Sequence, residues 1–228
     1  MSGDAAPLPT RAAISAAVDP LGWRLVLGRL ITHVPVASLR EAAQVATVAA
    51  AVDAHGHLGA DLHEHLTVLY LHTRAVGAVT ERDLRLAATL TATLAEHGHV
   101  TVPGAPAAVP QTLEIAIDAL DIPLIRPFWQ AVTGYVDDPA PPDLPAGALL
   151  DPLRRGPAIW FQQMDAPRPQ RNRIHVDVDV PPEAAAGRIE AALAAGGTLV
   201  HAGAAPAFWV LADPEGNEAC ICTWQGRD

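Results

Sequence analysis

The stretch that decides the fold of the C-terminal half is Asn172-Arg173-Ile174-His175-Val176-Asp177, in which polar and apolar residues alternate. A period of two is typical of a strand with one buried face, and it places Arg173, His175 and Asp177 together on the opposite face. Residues 113–119 alternate in the same way. Both segments are therefore predicted to be strands that carry polar side chains on one face.

Each of these two strands opens a similar series of elements. The first series is predicted as a strand at 113–119, a helix at 123–133 and a strand at 158–164. The second is a strand at 172–180, a helix at 182–195, and strands at 208–212 and 218–223. Such repetition predicts two similar βαβββ modules packed side by side. We expect this domain to span residues 112–226, after a linker at 101–111 that is rich in proline, alanine and glycine.

The N-terminal half, residues 8–100, has a different pattern of elements. Residues 23–31 predict a strand, and the capping box at Ser38 and Glu41 predicts the start of a helix. Residues 66–73 predict a second strand, and Thr80 caps a helix with acidic residues in its first turn. The order strand, helix, strand, helix predicts an α+β layer, so both halves belong to the α+β class.

Composition limits the partners and the location of the protein. A net charge of −10 argues against nucleic acid, because binding it requires a basic face. No segment approaches the roughly 20 apolar residues of a membrane-spanning helix, and residues 1–4 do not resemble a signal peptide. Cys220 and Cys222 lie two apart on one predicted strand, a poor geometry for a disulfide. We therefore expect a cytoplasmic protein with reduced thiols.

Histidines and a helix start carry the first resemblance. His55 and His57 precede the predicted strand that contains His72, and Thr80-Glu81-Arg82-Asp83 opens a helix. This region resembles the pterin-4a-carbinolamine dehydratase family, in which a His-His-Pro loop, a strand ending in Thr-His-Asp and a Thr-Glu-Arg-Asp helix start surround a pterin. The resemblance implies a dehydratase-like fold for the N-terminal half.

The resemblance also implies roles for particular residues. His57 matches the second loop histidine, and Arg74 falls where that family has a histidine; a shift of two residues would instead pair His55 with His72. Dehydration requires proton donation and removal near neutral pH, for which imidazole is suited and arginine is not. The implied catalytic residues are His57, His55, His72, Arg74 and Asp83.

The C-terminal half resembles the glyoxalase-like branch of the vicinal-oxygen-chelate superfamily, which includes glyoxalases, bleomycin resistance proteins and extradiol dioxygenases. The segments that carry this resemblance are 121–135, 159–162, 172–177 and Asp213-Pro214-Glu215-Gly216-Asn217-Glu218. The superfamily places metal ligands on its first, fourth, fifth and eighth strands, facing one concave surface. By position, the implied divalent-metal ligands are Glu114, Gln162, His175 and Glu218, with Trp160 and Arg173 as substrate-binding residues.

Three functions follow from these patterns. The first is a 4a-hydroxytetrahydrobiopterin dehydratase-like lyase acting on a pterin or a related small heterocycle, fused to a glyoxalase-like domain. The second is a metal-dependent glyoxalase or dioxygenase-type enzyme that uses the C-terminal concave surface. The third is a non-catalytic protein that binds a small molecule in resistance or sequestration. In each case the expected partner is a small molecule, and we also expect a homo-oligomer.

Overall fold

The computed structural model describes residues 8–52, 56–104, 110, 112–139, 147–167, 175–180, 182–223 and 225–226. The chain divides into two compact units, one of residues 1–112 with 139–144 and one of residues 113–138 with 145–228. Residues 1–112 are called unit 1 below, and the domain that begins at Leu113 is called unit 2.

Unit 1 contains three helices around one four-stranded sheet. The helices are α1 (Arg11–Val18), α2 (Leu39–Ala51) and α3 (Glu81–Glu96). The strands are β1 (Arg24–Val26), β2 (Arg29–Pro35), β3 (Leu58–His63) and β4 (Leu66–Leu71). The strands pair antiparallel in the order β1-β2-β4-β3. One face of the sheet packs its apolar side chains against the helices, and the core of the unit lies between them.

The structure corrects the predicted element order of unit 1. The single strand predicted at 23–31 is a hairpin, because Leu27 and Gly28 both have positive φ and form a two-residue turn between β1 and β2. Helix α1 and strand β3 were not predicted. Strand β3 carries Gly59 and mostly exposed side chains at the sheet edge, so it lacks the alternation that marks a half-buried strand.

Unit 2 contains two helices and two four-stranded sheets. The first module consists of β5 (Glu114–Ala119), α4 (Ile122–Thr133), β6 (Val136–Asp137), β7 (Leu149–Leu150) and β8 (Ala158–Gln163). The second consists of β9 (Val176–Asp179), α5 (Pro182–Ala194), β10 (Thr198–His201), β11 (Phe208–Ala212) and β12 (Glu218–Cys222). In each module the first strand pairs parallel with the last, and the remaining pairs are antiparallel. The prediction of two βαβββ modules is confirmed.

The turn between β11 and β12 explains one of the sequence motifs. Asp213 is buried, and its carboxylate accepts hydrogen bonds from the backbone N–H groups of Glu215 and Asn217 and from Trp129 Nε1. Glu215 in turn accepts from the backbone N–H groups of Leu120 and Asp121, at the start of α4. The acidic residues of this motif therefore join the two modules.

The sheets of unit 2 pack one face into the core, while the other face is exposed at Gln162 of β8 and buried at Cys220 and Cys222 of β12. Ile159 and Phe161 of β8 lie in the core, as do Ala219 and Ile221 of β12. The alternate residues of each strand must point away from that core. In the described part of the chain, no helix combines the length and the apolar character required to cross a membrane.

Candidate functional sites

A cluster of hydrogen-bonding side chains in unit 1 surrounds the start of α3. Thr80 caps this helix, and the carboxylate of Asp83 accepts from the backbone N–H of Thr80 (2.7 Å). The same carboxylate accepts from the hydroxyl of Thr73 (2.6 Å) and lies 2.7 Å from His57 Nδ1. Asp83 is fully buried and His57 is almost buried. The cluster is therefore a closed network built on a capping box.

The network assigns the proton on the ring of His57. An ionised carboxylate can only accept a hydrogen bond, so Nδ1 of His57 is the nitrogen that carries the hydrogen in its contact with Asp83. That leaves Nε2 as the nitrogen that can exchange a proton with a ligand. The arrangement can support general acid–base chemistry, with Asp83 holding the orientation of the ring.

The other residues predicted for this site have different positions. His72 is buried, and its backbone N–H donates to the carbonyl of His57. Arg74 lies in an exposed turn after β4. His55 lies outside the described residues. The structure thus brings His57 and Asp83 into direct contact, and it adds Thr73 and Thr80, which the sequence analysis treated only as strand-end and capping residues.

A second cluster lies on the face of the second sheet in unit 2 that points away from the core. A cavity of about 360 Å³ is lined by His175, Asp177, Ala207, Phe208, Cys220 and Cys222. We call this cavity the cup. Asp177 and Cys220 are register partners in the parallel pair of β9 and β12, so their side chains leave the sheet on the same face.

Three side chains of the cup converge on one point. His175 Nδ1 lies 3.0 Å from Asp177 Oδ1 and 3.8 Å from Cys220 Sγ. One potential ligand atom from each residue lies within 4.8 Å of the other two, an arrangement that could hold a metal ion. His175 and Asp177 are more than half exposed, whereas Cys220 is buried. The point is therefore open to a ligand from solvent and has a sulfur atom at its base.

The environment of Cys220 keeps its thiol protonated. Burial, followed by a hydrogen bond to Asp177 and by the neighbouring negative charges, raises the pKa of Cys220 to about 12. Cys220 and Cys222 are both buried and form no disulfide in the structure. A protonated thiol beside a carboxylate is a neutral hydrogen-bond donor until something replaces its proton.

The four predicted metal ligands are divided between the two modules of unit 2, and their convergence on one ion stays a prediction. His175 and Glu218 belong to the second module, whereas Glu114 and Gln162 lie on exposed positions of the first sheet. Burial, with the charge of Asp138, raises the pKa of Glu114. Among the described residues, the group that could hold a metal contains His175 but neither Glu114 nor Glu218.

The two predicted substrate-binding residues have separate outcomes. Trp160 is half-buried and alternates with the core residues Ile159 and Phe161, so it points away from the core, and its substrate-binding role stays a prediction. Arg173 lies outside the described residues.

The sequence analysis did not single out two residues that converge with His175 in the cup. Asp177 stands two residues from His175 on the same strand face, and Cys220 stands two residues from Glu218. The spacing signal was present in both cases. Position within the resembling superfamily favours Glu218, while the observed register pairs Cys220 with Asp177 and leaves Glu218 on the same face of β12.

Comparison with known proteins identifies the C-terminal half. The family model for the glyoxalase-like domain matches residues 114–222. That half is therefore a glyoxalase-like domain of the vicinal-oxygen-chelate type, as the sequence analysis predicted. A search of curated proteins finds no match.

Solved structures similar to this chain include three that share the glyoxalase description or a resistance function. A glyoxalase/bleomycin resistance protein/dioxygenase family enzyme from Burkholderia phytofirmans is 23% identical over 48% of this chain and 95% of its own, with a TM-score of 0.39. A glyoxalase-related enzyme from Fulvimarina pelagi is 17% identical over 50% and 88%, with a TM-score of 0.39. A fosfomycin resistance protein from Listeria monocytogenes, complexed with Mn(II) and sulfate, is 12% identical over 50% and 90%, with a TM-score of 0.38.

The family match does not cover the N-terminal half. The family match begins at residue 114 and leaves unit 1 outside it. The comparisons give no support to a pterin dehydratase-like assignment of this half, so the dehydratase fold and activity predicted from the sequence are not confirmed.

Proposed function

We propose that unit 2 is a metal-dependent enzyme of the glyoxalase or dioxygenase type, which binds a small organic molecule and a divalent cation in the cup. The observation that carries this proposal is the convergence of three potential ligand atoms at the wall of a cavity of about 360 Å³. A cavity of this size is within the range of small-molecule sites. The donors present, an imidazole, a carboxylate and a thiol, are all groups that bind divalent cations.

The walls of the cup suit a ligand with one polar end and one apolar part. Phe208 and Ala207 offer apolar surface, while His175 and Asp177 offer polar groups on the open side. A bound cation would act as a Lewis acid that polarises an oxygen atom of the ligand. Phe208 would hold the apolar part and exclude water from that side.

Calorimetric titration with Zn²⁺, Mn²⁺, Ni²⁺ and Fe²⁺ tests the proposal. We expect the wild-type protein to bind at least one of these cations, and His175→Ala to weaken that binding, because the variant loses the nitrogen donor. His201→Ala is the matched control, since His201 is an exposed histidine of the same unit that does not line the cup. Absence of binding in the wild-type protein would refute the proposal. Binding without turnover of any substrate would leave the cup as a sequestration site.

Unit 1 offers a second candidate, a pterin-carbinolamine dehydratase-like activity. The observation in its favour is the contact of His57 with Asp83, which fixes the imidazole so that Nε2 can move a proton. His57 would act as the acid or base, Asp83 would position it, and His55, His72 and Arg74 stay proposed as partners.

Dehydration of a 4a-hydroxytetrahydropterin, followed by absorbance, tests this second candidate. We expect the wild-type rate to exceed the rate in buffer, and His57→Ala to lower it. His97→Ala is a control at the exposed end of α3, where the ring contacts the carbonyl of Thr93. A wild-type rate equal to the buffer rate would eliminate the activity, and equal rates for wild type and His57→Ala would remove His57 from the mechanism.

A further inference from the structure

The donor atoms that meet in the cup differ from the set implied by the superfamily resemblance. That set, Glu114, Gln162, His175 and Glu218, contains oxygen and nitrogen donors but no sulfur. The atoms observed together are a nitrogen of His175, an oxygen of Asp177 and the sulfur of Cys220. Since the type of donor decides which cation a site prefers, the presence of sulfur changes the expected chemistry.

The spacing of these atoms fits a four-coordinate cation with a sulfur ligand. Tetrahedral zinc has bonds of about 2.3 Å to sulfur and about 2.0–2.2 Å to nitrogen or oxygen, which places neighbouring ligand atoms about 3.3–3.6 Å apart. The observed separations are 3.0 Å between His175 Nδ1 and Asp177 Oδ1, and 3.8 Å between His175 Nδ1 and Cys220 Sγ. Shifts of a few tenths of an ångström would bring both onto these values.

The fold places the sulfur at the base of the cup and leaves space above it. Cys220 is buried in the central part of the sheet, where β12 lies between β11 and β9. His175 and Asp177 are more exposed and stand on the adjacent β9 side. Three protein ligands with one open side are typical of a catalytic metal site, in which the fourth position is left for water or substrate.

We propose that the cup selects a thiophilic divalent cation, such as Zn²⁺ or Cd²⁺, by ligation through Cys220 Sγ together with His175 and Asp177. This inference rests on the proposed function, because it names the class of cation that the cup would bind. As the bond from sulfur to the cation forms, the thiol proton of Cys220 passes to solvent. The hydrogen on His175 Nδ1 moves through solvent to Nε2, so that Nδ1 and the Asp177 carboxylate exchange their mutual hydrogen bond for bonds to the cation.

Cobalt substitution tests the sulfur ligand directly. Co²⁺ added to the full-length protein is expected to produce a near-ultraviolet charge-transfer band from sulfur to cobalt. Cys220→Ser is expected to abolish this band and to lower Cd²⁺ affinity at least about tenfold, with a smaller change for Mn²⁺. Cys222→Ser is the matched control, because Cys222 lines the cup without belonging to the group of converging ligand atoms, and it is expected to retain the band.

The outcomes separate this inference from the proposed function. If no divalent cation binds, both fail. If Co²⁺ binds without a sulfur band, or if Cys222→Ser rather than Cys220→Ser removes the band, cation binding stands and ligation by Cys220 is overturned. Circular dichroism checks that Cys220→Ser is folded, and Cys220→Ala provides a second variant if it is not.

Discussion

The two units each pair a histidine with an aspartate, but they place the pair in opposite surroundings. His57 and Asp83 lie 2.7 Å apart with the carboxylate fully buried, whereas His175 and Asp177 lie 3.0 Å apart with both side chains more than half exposed. The carboxylate in unit 1 also accepts hydrogen bonds from Thr73 and Thr80. The same kind of contact therefore differs between the units in the burial of the carboxylate and in the number of further hydrogen bonds that it accepts.

The two aspartates differ in the free energy that it would cost to break their contacts. Releasing Asp83 would leave buried donors without an acceptor, which costs roughly 1–3 kcal/mol for each group. Releasing Asp177 would expose it to water, and an exposed ion pair contributes only about 0–1 kcal/mol. We therefore infer that the pair in unit 1 is held in one arrangement by the fold, whereas the pair in unit 2 is free to exchange its partner for a ligand.

Asp83→Ala should have the largest effect on stability. The substitution removes the acceptor for Thr80 N–H, the Thr73 hydroxyl and the His57 ring, so we expect unit 1 to lose about 3–5 kcal/mol of unfolding free energy. Urea unfolding, followed by fluorescence of Trp23 in the core of unit 1, measures this loss. Trp23 is the sole tryptophan before residue 113.

Asp177→Ala is the matched variant in unit 2. Because its carboxylate is more than half exposed, we expect the free energy of unfolding to change by less than about 1 kcal/mol. Circular dichroism during urea unfolding provides the measurement. Similar losses of unfolding free energy for the Asp83 and Asp177 variants would contradict the inference that the fold holds Asp83 in one arrangement while Asp177 can exchange its partner for a ligand.

The sequence could predict the parts of the molecule that have a local pattern, and it missed those that depend on how distant segments align. Alternation predicts which residues of a strand share a face, because a half-buried strand repeats with a period of two, and Ile159 and Phe161 in the core with Trp160 opposite them follow that rule. The hairpin at Leu27 and Gly28 was missed because leucine rarely adopts a positive φ, so the turn has no typical signature. Neither the approach of Cys220 to His175 nor the contact of His57 with Asp83 was predicted, since both depend on strand and loop register rather than on local pattern.

Gly197→Ala should test how closely unit 2 packs around Phe128. An added Cβ would lie 2.4 Å from Phe128 Cδ2, and the side chain of Phe128 is fully buried. Overpacking of this kind typically costs about 1–3 kcal/mol, so we expect unit 2 to lose stability by that amount. Urea unfolding followed by circular dichroism measures the loss. No loss would mean that the ring of Phe128 can move aside without cost.

Gly187→Ala applies the same substitution where no neighbour opposes it. Gly187 lies inside α5, and an added Cβ would meet nothing within 4 Å. Alanine has the higher helix propensity, so we expect unit 2 to gain about 0.5–1 kcal/mol. Opposite signs at residues 187 and 197 would assign the cost at Gly197 to packing. A loss at both positions would instead indicate that unit 2 tolerates no change near α5.

The smallest expected effect is a difference in how the two units respond to pH. Burial lowers the pKa of His33 in unit 1 below its usual value of 6.5, so its neutral form is favoured in the folded state. The corresponding stability is present above pH 6.5 and is lost as the pH falls through the folded pKa. For Cys220 in unit 2 the sign is reversed, because its pKa is raised from 9.0 to about 12 and stability is lost as the pH rises above 9.

Acid should therefore weaken unit 1 through His33, and alkali should weaken unit 2 through Cys220. We expect His33→Gln to show a shallower decline in the stability of unit 1 between about pH 7 and 5 than the wild-type protein, because glutamine has no proton to gain in that range. Urea unfolding monitored by Trp23 fluorescence at each pH provides the measurement. His63→Gln is the control, since His63 is exposed on β3 of the same sheet. Equal slopes for wild type and His33→Gln would show that burial of His33 does not contribute to the acid sensitivity of unit 1, and the electrostatic contrast between the units would then rest on Cys220 alone.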